Sequence, residues 1–134
     1  MSMTILLIAF IGVALLVIIS LISKKIPKHL NQKYFVKEWR YLQAMCSNKA
    51  TWPLAIINAD KLLDLALKKR RFTGKGMGER LVSAQHNLSN NDAVWMAHKL
   101  RNRLVHEQDV SLKEKDVREA LIGIRQALKD LGAI

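Results

Sequence analysis

Residues 4–22, TILLIAFIGVALLVIISLI, carry no charged side chain, and no other feature limits the fold as much. As a helix rising about 1.5 Å per residue, the run spans roughly 28 Å, close to the hydrocarbon thickness of a bilayer. A helix packed on a soluble core shows a polar face over such a length, and this one shows none. The main competing reading is a cleaved signal peptide, which carries a basic n-region and a small-x-small cleavage site. MSMT has no Lys or Arg, and SLISKKIPK offers no Ala-x-Ala pattern. The run is therefore expected to be an uncleaved, single-pass membrane anchor over residues 1–23.

Charge sets the expected orientation. Lys24, Lys25, Lys28 and Lys33 crowd the C-terminal flank of the run, and the positive-inside tendency places residues 24–134 in the cytoplasm. The single Cys46 cannot build an intramolecular disulfide framework, which agrees with a reducing compartment. Lys and Arg number 22 against 11 Asp and Glu, a formal charge of +11, and residues 1–23 contribute none of it. Such a domain attracts anions, either nucleic acid or the anionic inner leaflet. Lysines just inside an anchor are what topology alone demands, so KKRR at 68–71 is the more informative excess.

Ile26-Pro27 marks the exit from the anchor, within a basic juxtamembrane linker at 24–30. Helical patterns fill residues 31–134. Phe35, Trp39, Leu42 and Cys46 recur at three- and four-residue spacing, giving a helix over about 31–47. Pro53 opens a second, whose apolar face reads as Leu54, Ile57, Leu62, Leu65 and Ala66. FTGKGMGER is a glycine-marked turn. It lacks the preceding strand and following Lys-Ser/Thr pair of a phosphate loop. A short helix follows at 78–87 through Leu81, Val82 and Ala84. LSNND caps another at 92–107, with stripe Ala93, Ala97, Leu100 and Leu104. Ser111 and Glu114 have capping-box spacing before a last helix with Val117, Leu121, Ile124, Leu128 and Leu131 inward. No segment alternates like a strand. The expected fold is all-α: one transmembrane helix, then a four- to five-helix up-and-down bundle.

The chemistry concentrates in AHKLRNRLVHEQ, residues 97–108. Positions four apart share a helix face, so His98, Asn102 and His106 form a polar stripe beside the apolar one. Asn102 could orient His106, and the neighbouring Arg101 could take a phosphate in bidentate fashion. Near neutral pH a histidine suits proton exchange with a ribose 2′-hydroxyl, and an arginine suits the developing phosphate charge. Those two groups together are what metal-free RNA cleavage needs.

Arg101-Asn102-x-x-x-His106 resembles the Arg-polar-x-x-x-His motif of HEPN (higher eukaryotes and prokaryotes nucleotide-binding) domains, and the likeness extends over residues 31–132. The resemblance implies a helical bundle and a homodimer that faces two motifs across one cleft. In active members it implies a metal-independent endoribonuclease of a defence or stress type, leaving a 2′,3′-cyclic phosphate. Arg101 would hold the scissile phosphate, His106 would be the general acid or base, and Asn102 would position His106. Family members also serve as non-catalytic modules, so an alternative stands beside the ribonuclease. It is a membrane-anchored interaction module whose basic bundle binds a protein partner, nucleic acid or inner-leaflet lipid.

The remaining candidates read as structural. His98 reads as a surface or partly buried structural residue, His86 has no site-like neighbour, and His29 belongs to the juxtamembrane segment. Trp39, Trp52 and Trp95 lie on or beside apolar stripes and read as core or interface anchors. No spacing among the four histidines and Cys46 suits a metal, and no cofactor is expected.

Overall fold

The computed structural model describes residues 2–25 and 29–134, so the Ile26-Pro27 exit lies outside the described residues. The chain is all-helical, without strands among those residues. α1 (Met3–Lys25) is followed by α2 (Gln32–Met45), α3 (Trp52–Lys69), α4 (Met77–Ala84), α5 (Asn91–His106) and α6 (Glu114–Asp130), with single 3₁₀ turns before α3 and after α4. α1 is long and apolar enough to cross a membrane, and its large apolar side chains from Met3 to Ile22 stand exposed, Phe10 at 76%.

The bundle forms around α3, which packs against α2, α4, α5 and α6. Phe35, Ile56, Leu63, Leu67, Leu81, Ile124 and Leu128 are fully buried at its centre. Asparagine side chains cap the starts of α2 and α5. Asn31 Oδ1 accepts from Tyr34 N at 3.2 Å, and Asn90 Oδ1 accepts from Ala93 N at 3.4 Å, satisfying first-turn amides that have no intrahelical acceptor. Trp52 Nε1 donates to Cys46 O at 2.9 Å and pins the α2–α3 corner. Cys46 Sγ reaches Leu42 O at 3.3 Å, and burial pushes its thiol pKa up, which suits a structural rather than a reactive thiol.

Three local expectations need correction. The buried face of α3 is Ala55, Ile56, Ala59, Leu62, Leu63, Ala66 and Leu67, whereas Leu54 is 47% exposed at the helix start. The face is turned so that Asp60, a charged residue, is itself buried within the apolar stripe. In α4, Val82 is exposed while Met77, Leu81 and Ala84 turn inward. Finally, Ser111 caps nothing: α6 starts at Glu114 behind Lys113, which supplies no side-chain cap.

Two glycines are dictated by contact. A Cβ on Gly123 would lie 2.9 Å from Ala93 Cβ and 3.0 Å from Ala93 backbone atoms, so α5 and α6 approach closely there. A Cβ on Gly74 would sit 2.7 Å from Arg80 N. That turn is gripped rather than open: Arg80 Nη1 donates to Gly74 O at 2.6 Å, and Lys75 N to Glu79 Oε2 at 2.8 Å. Its backbone is engaged by its own helix.

Candidate functional site: a polar cavity between α3 and α5

Asp60 and Asp64 are one turn apart on α3 and so share a face. Each receives cations from a different helix. Asp64 meets Arg80 of α4 in a fork, Nε to Oδ1 at 2.6 Å and Nη2 to Oδ2 at 3.1 Å, and Lys68 Nζ at 2.9 Å. Burial alone would raise the Asp64 pKa, but the hydrogen bonds and charges of Arg80 and Lys68 outweigh it and hold the carboxyl below the ordinary aspartate value.

Asp60, only 3% exposed, serves α5. Its Oδ1 lies 2.9 Å from His98 Nδ1, and its Oδ2 lies 3.6 Å from Arg101 Nε. Arg101 Nη1 donates to Asn102 Oδ1 at 3.0 Å, and Asn102 Nδ2 faces His98 Nε2 at 3.4 Å. These partners assign the rest. With its oxygen taken by Arg101, the Asn102 amide presents N–H to His98 Nε2, which therefore accepts, leaving His98 Nδ1–H to donate to Asp60. Arg101 Nε is buried and lies beyond hydrogen-bond reach of Asp60, so that N–H has no acceptor among the described residues. The cluster opens into a cavity of about 320 Å³ lined also by Lys61, Asp64 and Met77.

Arg101 and Asn102 thus stand together at this cavity, and His106 does not join them. It is the last residue of α5, is exposed, and takes part in no hydrogen bond or ion pair among the described residues. Arg101 and His106 are five residues apart, about 140° round the helix, so one copy of α5 cannot turn both onto one point. The Asn102 amide is engaged by Arg101 and His98 rather than by His106.

Two residues of the cluster, Asp60 and His98, were not among the site residues expected from sequence. A signal for Asp60 was present: it holds a core register with Ile56, Leu63 and Leu67, and a carboxylate in such a register needs a partner. His98 lay on the polar stripe and is structural in the literal sense, since both ring nitrogens are engaged. Among the described residues no group of three His, Cys, Asp or Glu could hold a metal ion. Compared with known proteins, the chain matches no family model, no curated protein and no solved structure.

Proposed function

We propose that the chain is a membrane-anchored, cytoplasm-facing HEPN-like domain that acts on RNA as a metal-independent endoribonuclease, with Arg101 as the phosphate-binding group and His106 as the proton carrier. The observation that carries this reading is the state of Arg101. Its guanidinium is braced by Asp60 and Asn102 at the cavity, keeps 27% of its side chain exposed, and has an Nε–H without an acceptor. Nε is closed to solvent beside Asp60, so a phosphate oxygen would be met by the exposed part of the planar fork.

Arg101 and His106 of one chain diverge, so the reading calls for a homodimer in which α5 of a second copy brings its own Arg101 and His106 to the same cleft. His106 is free to serve because no hydrogen bond or ion pair among the described residues engages it. It would take the proton from the 2′-hydroxyl or deliver one to the leaving 5′-oxygen, while Arg101 balances charge on the phosphorane-like transition state.

The test uses the purified full chain in detergent micelles, single-stranded RNA and an excess of chelator. The expected result is cleavage that leaves a 2′,3′-cyclic phosphate and spares DNA of the same sequence. His106→Ala should slow cleavage by about 10²–10⁴-fold, and Arg101→Lys should restore little of what Arg101→Ala loses. RNA that is bound but left intact, equally by the parent and His106→Ala, would give the cavity to a non-catalytic interaction module.

A further inference from the structure

A second surface stands apart from that cavity, on the outward side of α2. Lys33, Lys37 and Arg40 fall at i, i+4 and i+7, within about 60° of one another round the helix. They stand opposite Phe35, Trp39 and Leu42, which are buried in the core. All three cations are exposed, and none has an ion-pair partner among the described residues. With Gln32 and Val36 they line a shallow groove of about 460 Å³. The only acid on α2, Glu38, lies about 100° or more round the helix from each cation. The exposed Tyr34 and Tyr41 flank Glu38 in a different groove. The helix has therefore segregated its charge: the cations on one side and its acid on another.

What such a face meets is set by where the chain holds it. Only six residues, 26–31, separate the end of α1 from the start of α2, a reach of at most about 25 Å. Lys24, Lys25 and Lys28 add cations to the same region, so residues 24–40 hold six Lys and Arg against Glu38 alone. Topology would be satisfied by the first three. It does not require a folded helix to keep three more unpaired on one stripe.

We infer that the Lys33–Lys37–Arg40 face of α2 docks on anionic phospholipid headgroups of the membrane holding α1, laying the bundle against the bilayer. Headgroup phosphates occupy the groove, and the aliphatic stems with Val36 line its floor. No residue of α2 lines the cavity at Arg101, so docking leaves that cavity unobstructed by the α2 groove. The inference takes α1 as the membrane span and stands whether or not the protein cleaves RNA.

The test reconstitutes the full chain in nanodiscs of phosphatidylcholine alone or with about a third phosphatidylserine, matching a surface that attracts polybasic segments. Acetylation by acetic anhydride, an uncharged reagent, is read at Lys33 and Lys37 against the exposed Lys113. In the anionic discs both α2 lysines should react about fivefold or more slower at low salt, and molar salt should abolish the difference. Arg40→Glu, an exposed substitution, should remove most of the protection. Equal rates at Lys33 and Lys37 in the two kinds of disc overturn the inference. Protection by added single-stranded RNA but not by anionic lipid overturns it too, and gives the face to nucleic acid. A chain that fails to enter discs overturns it as well, because the face then has no bilayer to meet.

Discussion

His98 Nδ1 lies 2.9 Å from Asp60 Oδ1, and this contact joins the middle of α5 to the buried side of α3 across 38 residues of sequence. Both side chains are nearly closed to solvent, Asp60 at 5% and His98 at 11%. The same carboxylate steadies Arg101, so one buried acid positions two of the groups at the cavity.

Removing that acid should be felt in stability first. Asp60→Ala leaves His98 Nδ1–H without its acceptor and Arg101 without its buried counter-charge, at a cost of about 2–4 kcal/mol. Asp60→Asn, which keeps an oxygen, should recover part of it. Urea unfolding followed by helical circular dichroism measures both, and an Asp60→Ala protein as stable as the parent would contradict the bracing role.

The two histidines of α5 should separate cleanly. His98→Ala deletes a part-buried ring with both nitrogens engaged and should lower stability by about 1–3 kcal/mol. His106→Ala removes an exposed, unengaged ring and should stay within about 0.5 kcal/mol of the parent. Any activity lost with His106 would then be chemistry and not unfolding.

How far the sequence foretold this arrangement differs from helix to helix. α2 and α6 were legible because their burial follows unbroken apolar spacing: Phe35, Trp39 and Leu42 in one, Val117, Ile124 and Leu128 in the other. α3 was legible as a helix but not in its rotation. Leu54 is apolar yet exposed, Asp60 is charged yet buried, and a pattern that sorts residues by polarity misplaces both. The site divided the same way. Arg101 and Asn102 were found through local spacing, whereas the Asp60–His98 contact depends on tertiary packing that periodicity along one helix does not encode.

Acid should expose the second aspartate. The Asp64 pKa is lowered in the fold, so its ion pair contributes fully above the ordinary value of 3.8 and is lost as the pH falls through the lowered one. The stability difference between the parent and Asp64→Asn should be largest at neutral pH and shrink below about pH 4. Unfolding curves between pH 6 and about pH 2 check the sign.

Gly123→Ala sets helix propensity against contact. Propensity favours the change by about 1 kcal/mol. The new methyl, however, would meet Ala93 Cβ and backbone at 2.9–3.0 Å, and backbone cannot rotate aside as a long side chain does. A net loss of about 1–2 kcal/mol is expected from overpacking α5 on α6. A stabilised variant would show that the two helices can part freely.

Topology has a direct assay. Protease added outside intact cells should leave residues 29–134 uncut, and lysis should make them sensitive. Digestion in sealed cells would reverse the orientation inferred from Lys24, Lys25, Lys28 and Lys33 and remove the RNA proposal with it.

The hydrogen bonds from Arg101 to Asn102 to His98 to Asp60 all run one way, each donor facing inward toward a single carboxylate. The chain of bonds is consequently a vector. It ends on the buried Asp60 carboxylate, which also stands 3.6 Å from the Arg101 at its start. Reversing the Asn102 amide would set oxygen against the His98 acceptor and nitrogen against the Arg101 donor, so the polarity cannot invert by a local flip. Folding therefore fixes the orientation of the Arg101 side chain before anything reaches the cavity.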